Sequence, residues 1–367
     1  MLPCILTVVL IGQALLQGSV LASETKASLV DRANTVFDLL AFDRHHRHSK
    51  KSICEQTDWR KSLKLVKEIP FAGLFQDLRG ESKFEASGLV HVNDTYYVVF
   101  DSHRSLGVVN DKLEMMSETN ILAGEIGEES QFEGITYRPD TNTFLVVQES
   151  HMHADNTLKP LVEEIMLFPT NTAYRSMRAC DMDLELSHAN KGIESIQYYD
   201  AEEQGKFLFA LCEGNFCVGG KRGKKAGNGR LIISQLETDA NDGTVCRWIP
   251  IKTVHVPSTA AFTDYSGMAF SGKRFGIVSQ ENSALWVGEF DFGHMEFTNL
   301  GEVYHFPRDN NCDMIYSGFA GYGRSAVKLL LDLNRLNIAA QHISMEGCQI
   351  HEGHNGQVEE NAAAEAR

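Results

Sequence analysis

Asp101, Glu149, Glu213 and Glu281 each follow a run of apolar residues, and Glu133 and Glu194 each open one. In antiparallel neighbours the start of one strand and the end of the next lie at the same rim. Four strand-closing acids and two strand-opening acids are therefore expected to converge on one face. Like charges gathered there repel, and a bound divalent cation relieves the repulsion. Hard oxygen donors suit calcium or magnesium better than zinc or copper, with calcium placed ahead of magnesium. His103 and His151 follow Asp101 and Glu149 at the same offset, as further ligands or as a general base. The competing expectation is that each acid bonds loop amides or guards a strand edge, and that each histidine is an exposed loop residue.

These acids need hairpins to carry them. Phe132-Glu133-Gly134-Ile135 leads through Pro139-Asp140-Thr141-Asn142 to Phe144-Leu145-Val146-Val147-Gln148-Glu149, which is strand, turn and strand. Ser87-Gly88-Leu89 leads to Asp101, Glu194-Ser195-Ile196 to Glu213, and Ser266-Gly267-Met268 to Glu281 in the same way. A unit recurring at intervals of roughly 45–70 residues predicts a radial or stacked β array. Leu106–Val109 and Leu113–Met116 offer third and fourth strands to the first unit. The expected fold is an all-β propeller of five or six four-stranded blades.

The four repeat starts, together with Leu211-Cys212-Glu213-Gly214-Asn215, resemble those of the SdiA-regulated family of secreted or periplasmic β-propellers. They share Glu-Gly-apolar starts with gluconolactonase-like and paraoxonase-like propellers. The resemblance covers about residues 61–316 and implies a propeller without a settled activity. In gluconolactonase-like propellers a Glu-Gly start similar to Glu133-Gly134 contributes a metal ligand.

The flanks differ from the repeats. Residues 1–22 resemble a signal peptide, with an apolar run from Ile5 to Leu16 ahead of Val20-Leu21-Ala22. Residues 23–60 are expected to form a short helix and a basic, His-rich linker, and 61–340 the propeller, with Leu63–Pro70 a closing strand. From about Ser317 the pattern decays, as a degenerate last blade or a change of reading frame, and 341–367 is a polar tail. A secreted protein makes its cysteines candidates for disulfides, and Cys212 with Cys217 closes a short loop beside Glu213. Seven cysteines remain after the leader, an odd set that leaves one thiol free or paired with another chain. Asn93-Asp94-Thr95 is a glycosylation sequon at a predicted turn.

A net charge of −15 over 367 residues argues against a nucleic-acid partner. Beyond the leader no stretch approaches the roughly 20 apolar residues of a membrane helix. The segment from Val218 to Arg230 is rich in glycine and basic residues but lacks phosphate-loop spacing, and reads as a basic blade loop for an anionic ligand. No nucleophile elbow or paired-cysteine metal motif is present. The leading expectation is a secreted binding module whose acidic rim holds a divalent cation and a small ligand or cell-surface partner. The alternatives are a metal-dependent hydrolase of esters, lactones or phosphates using Glu133, Glu194 and Glu213, and a structural protein without a metal.

Overall fold

The computed structural model describes residues 67–306, apart from 82–83, 125–128, 154, 202–203, 240–241 and 243–244, together with Leu63 and the backbone of Thr7–Leu10. The predicted linker, the region beyond Phe306, the rest of the predicted signal peptide, and Cys54, Cys312 and Cys348 lie outside these residues. Strand β1 (Thr7–Leu10) pairs in parallel with β2 (Lys67–Pro70). The described chain is otherwise almost wholly antiparallel sheet, with three helical segments of three or four residues.

Four units follow in chain order. The first is β3 (Ala86–Val92), β4 (Thr95–Phe100), β5 (Leu106–Asn110) and β6 (Ile121–Ala123), paired in that sequence. The second is β7 (Phe132–Arg138), β8 (Thr143–Met152), β9 (Leu158–Leu167) and β10 (Tyr174–Met182). The third is β11 (Ile193–Asp200), β12 (Lys206–Cys212), β13 (Arg230–Thr238) and β14 (Cys246–His255). The fourth is β15 (Gly267–Ser271), β16 (Arg274–Ser279) and β17 (Ala284–Asp291), whose outer edge pairs with β18 (Glu296–Phe297) and β19 (Glu302–His305).

The first strands β3, β7, β11 and β15 lie side by side in succession. Such an arc of meanders, each leading with an inner strand, is the arrangement that the repeats predict. The small residue of the repeat start is explained by this contact. A Cβ on Gly88 would lie 2.8 Å from the Gly134 Cα, and one on Gly134 would lie 2.9 Å from the Ser195 Cα. Inner strands approach this closely only where side chains are missing. Farther out, the gaps between sheets fill with apolar side chains: Val99, Leu106 and Phe144 between the first and second, Val147, Ile196 and Trp248 between the second and third, and Phe209, Phe275 and Trp286 between the third and fourth.

The second and third sheets are joined twice. Their inner strands β7 and β11 touch, and their outer strands β10 and β14 pair in parallel at Asp181↔Arg247 and Met182↔Trp248. A disulfide between Cys180 and Cys246, with Cα atoms 5.0 Å apart, lies beside that outer pairing. An ion cluster built outward from the buried Arg138 and Glu164 sits on the same pair of sheets. Arg138 bonds Glu164 at 3.0 Å and Asp140 at 3.0 Å, Arg178 bonds Glu164 at 2.8 Å, and Lys206 on β12 reaches Asp140. Burial alone would raise the Asp140 carboxyl, but its bonds to Lys206 and Arg138 bring it down to about 2.

One local expectation differs from the structure. The fourth strand of the first unit is Ile121–Ala123, not Leu113–Met116. Leu113 and Met116 have φ of 51° and 50°, which no strand tolerates, and Leu113 is buried as a loop anchor. Asn120 fixes that loop by donating to the carbonyls of Leu74 and Glu114 and accepting from the Asn110 N–H. Of the predicted closing strand Leu63–Pro70, the described part Lys67–Pro70 is strand, and the Leu63 N–H donates to the His305 carbonyl of the outer strand β19 at 2.7 Å.

Candidate functional site

Three of the four inner strands carry an irregularity at their start. The pairing register slips between Ala86 and Gly88, between Phe132 and Gly134, and between Ile193 and Ser195, leaving Ser87, Glu133 and Glu194 as the extra residues. Bulges of this kind re-aim a side chain where a strand ends. On these three sheets the residue just past the last pair of the hairpin ties back across it. The Asp101, Glu149 and Glu213 N–H groups donate to the carbonyls of Glu85, Gln131 and Gly192 at 2.8, 3.1 and 3.0 Å. The acids thereby occupy one register position on three successive sheets.

Three carboxylates meet. Oxygen atoms of Glu149, Glu194 and Glu213 all lie within 4.8 Å of one another, and the first two residues are buried. Glu149 comes from the second sheet, and Glu194 and Glu213 from the third. Gly192 allows the approach, because a Cβ there would sit 2.2 Å from the Glu149 carbonyl oxygen. Its N–H instead donates to Glu149 Oε1 at 3.0 Å. Lys191, in the same connection, bonds Glu213 Oε1 with its ammonium. Glu213 Oε2 is buried and has no hydrogen-bond partner among the described residues.

Burial, followed by the charge of Glu194, pushes the Glu213 carboxyl up to about 8; Lys191 opposes this and Glu149 adds to it. Burial opposes the charged form of Lys191, but its bond to Glu213 and the charges of Glu213, Glu194 and Glu149 outweigh it, so its pKa is raised. Asp264, just ahead of β15, is buried and raised to about 6, chiefly by burial. Its carboxylate accepts from the Ser279 hydroxyl and the Glu281 N–H, while Glu281 and Glu194 repel it.

The remaining predicted residues lie apart from this trio. Asp101 is half-buried on the first sheet, and its carbonyl accepts from Ser130 and Gln131. Glu133 is buried at the β7 bulge, outside the three-carboxylate cluster. Glu281 is exposed, one residue past the ring position: Gly267 pairs with Val278, which places Gln280 where the other sheets carry an acid. Its carboxylate lies 3.6 Å from Lys224. His103 is buried against Phe84 and Phe100, with ring centroids 5.3 and 4.2 Å away, and burial pushes it down to about 4. A neutral imidazole in an aromatic cluster is a core residue. His151 is exposed and lines a cleft of about 530 Å³ formed by Arg104 and 129–131 against the second sheet. Cys212 and Cys217 form the expected bridge, with Cα atoms 5.2 Å apart, and Asn93 is exposed in the β3–β4 turn with φ of 47°.

Lys191, Asp264 and the Cys180–Cys246 pair were not among the expected site features. Lys191-Gly192 immediately before Ile193-Glu194 was the signal available for the first. For Asp264 it was an acid two residues ahead of Ser266-Gly267.

No family model and no curated protein sequence matches the chain. Solved structures similar to it include the PQQ-bound aldose sugar dehydrogenase of Streptomyces coelicolor, at 10% identity over 68% of this chain and 93% of that one, with a TM-score of 0.37. A glucose dehydrogenase matches at 12% identity over 60% and 87%, with a TM-score of 0.36. A Bacteroides uniformis protein assigned as a 6-phosphogluconolactonase matches at 13% identity over 61% of this chain, with a TM-score of 0.32. The chain spans 60% of the length of that last protein.

Among the described residues no helix is long and apolar enough to cross a membrane. Chemically, the trio offers only hard oxygen donors, the set that divalent calcium or magnesium prefers. With all groups ionised, three carboxylates and the Lys191 ammonium sum to a charge of −2, which one divalent cation balances.

Proposed function

We propose that this chain is a secreted propeller of five or six blades, of the SdiA-regulated type, that holds a divalent cation on Glu149, Glu194 and Glu213 and presents a small ligand or surface partner at that mouth. Calcium is placed ahead of magnesium. The observation that carries the reading is the convergence of three carboxylates from two sheets within 4.8 Å. Repulsion at that distance is costly in a partly buried setting, and a cation relieves it. The Glu213 Oε2 atom, buried without a hydrogen-bond partner, fits a ligand oxygen awaiting a cation. The two disulfides accord with an oxidising compartment, and the exposed Asn93 with an accessible sequon.

A metal-dependent hydrolase is the second reading, favoured by Asp264. A buried carboxyl raised to about 6 and repelled by Glu194 is poised to accept a proton near neutrality. A bound cation would supply polarisation of an ester, lactone or phosphate oxygen and a more acidic water. This chain's own residues would hold it, orient Glu213 through Lys191 and take up the proton on Asp264.

The test is a thermal melt of the metal-stripped protein with and without millimolar calcium or magnesium. At about 100 times the dissociation constant, a cation that binds only the folded state adds roughly 2.7 kcal/mol. The shift is expected to vanish in Glu149→Gln/Glu194→Gln. No shift with either ion would make the trio a solvated acidic feature. If the chain is a hydrolase, Asp264→Asn abolishes turnover while leaving the cation shift intact.

A further inference from the structure

In a chain of net charge −15, the segment from Val218 to Arg230 carries five basic residues and no acid. It is anchored beside the trio. Glu213 directly follows the strand that leads into it, and the Cys212–Cys217 bridge closes the turn between them. Within that turn Phe216 adopts φ of 60° and ψ of 12°, a left-handed conformation that a bulky side chain takes only under constraint. The constraint is visible. The Phe216 N–H donates to the Asn228 carbonyl at 2.9 Å. Asn215 is fully buried, donates to the carbonyls of Gly223, Phe262 and Thr263, and accepts from the Asn228 N–H.

The held ring is a platform for two cations. The Arg222 guanidinium lies 4.9 Å from the Phe216 ring centroid and that of Arg230 lies 5.1 Å away. Arg230 also donates to the Asn228 and Gly229 carbonyls, which fixes its direction. No described acid lies within ion-pair reach of either guanidinium. Burial and the charge of Arg222 hold the Arg230 pKa below the usual arginine range. Lys224 nearby is matched by Glu281, whereas the two arginines carry two positive charges without a counter-charge.

We propose that Arg222 and Arg230, stacked on Phe216, form a subsite for the dianion of a phosphate monoester at the mouth of the Glu149–Glu194–Glu213 site. Two uncompensated guanidiniums balance a double negative charge, and their planar forks match phosphate oxygens. The aromatic ring restricts both side chains in advance and so lowers the entropy lost on binding. The inference extends the reading of that mouth as a ligand site by naming the anionic part of the ligand.

The experiment is calorimetric titration of the full, EDTA-treated chain with inorganic phosphate, glycerol 3-phosphate and acetate. Working without cation lets this proposal and the cation reading fail separately. Both phosphates are expected to bind at least tenfold more tightly than acetate. Arg222→Gln/Arg230→Gln should weaken them at least tenfold per guanidinium removed, and Arg222→Lys/Arg230→Lys, which keeps the charge but not the forks, should also weaken them. A cooperative thermal unfolding transition and a far-ultraviolet circular dichroism spectrum like those of the wild type, both recorded in EDTA, check that these variants are folded. Co-sedimentation with phosphatidic acid vesicles, lost in the Gln variant, would place the dianion on a lipid headgroup; binding of glycerol 3-phosphate without co-sedimentation would place it on a soluble ester. Unchanged phosphate affinity in the Gln variant, or acetate binding as tightly as phosphate, overturns the proposal.

Discussion

Glu213 makes the cation-free protein sensitive to alkali, in a direction opposite to the usual surface carboxylate. Its carboxyl has an ordinary value of 4.5 when unfolded and is raised to about 8 when folded. Between those values the folded state keeps a proton that the unfolded state has lost. Stability therefore falls as pH rises and levels off above about 8. Two neighbours set the useful window. His103, lowered to about 4 from 6.5, pulls the opposite way until the unfolded imidazole has lost its proton, and Asp264 finishes titrating near 6. From pH 6.5 to 8.5 Glu213 dominates, and a fall of about 1.5 pH units below its folded value corresponds to roughly 2 kcal/mol. For a domain of this size that is a melting shift of roughly 4–8 °C. The assay is thermal unfolding followed by circular dichroism in EDTA, across that range. Glu213→Gln should flatten the dependence, since its amide does not titrate. A cation that displaces the proton should bind up to about tenfold more tightly per pH unit below about pH 8, with the gain levelling off above it. A wild-type melting temperature that stays constant or rises from pH 6.5 to 8.5 in EDTA would refute the trapped proton.

Two further outcomes follow from the packing. Gly134→Ala places a methyl 2.9 Å from the Ser195 Cα, so it should cost about 1–3 kcal/mol, measured by denaturant unfolding; a neutral result would mean the inner strands are not in contact. Removing the Cys180–Cys246 bridge, whose cysteines are 66 residues apart, should cost about 4 kcal/mol and lower the melting temperature, read by comparing Cys180→Ser/Cys246→Ser with wild type.

The sequence made the hairpins legible because inner strands need small residues and alternation, and both are written as residue types. Ser87-Gly88, Glu133-Gly134, Glu194-Ser195 and Ser266-Gly267 open or immediately precede the four inner strands. The acids were harder to place, because a bulge changes the count by one. A strand-end acid in the sequence can be the ring residue, as Glu149 and Glu213 are, or its neighbour, as Glu281 is beside Gln280. His103 matched His151 in offset but not in surroundings. Its partners Phe84 and Phe100 belong to the cluster that Phe71 and Phe75 complete, which spacing within a hairpin does not reveal. Lys191 and Asp264 sit in connections, where no periodicity marks a residue.

The double joint between the second and third sheets has a mechanical consequence. Two plates fastened along both long edges cannot fan apart, whereas plates touching along one edge can swing like pages. The second–third seam is the one closed at its outer edge by both strand pairing and a covalent bond. Glu149 rides on one clasped plate and Glu194 and Glu213 on the other, so the clasp helps to fix their spacing. The fourth sheet, which carries Asp264 and Glu281, is fastened to the trio as well, because the Tyr265 N–H donates to the Glu213 carbonyl at 3.0 Å and Asp264 bridges Gly214.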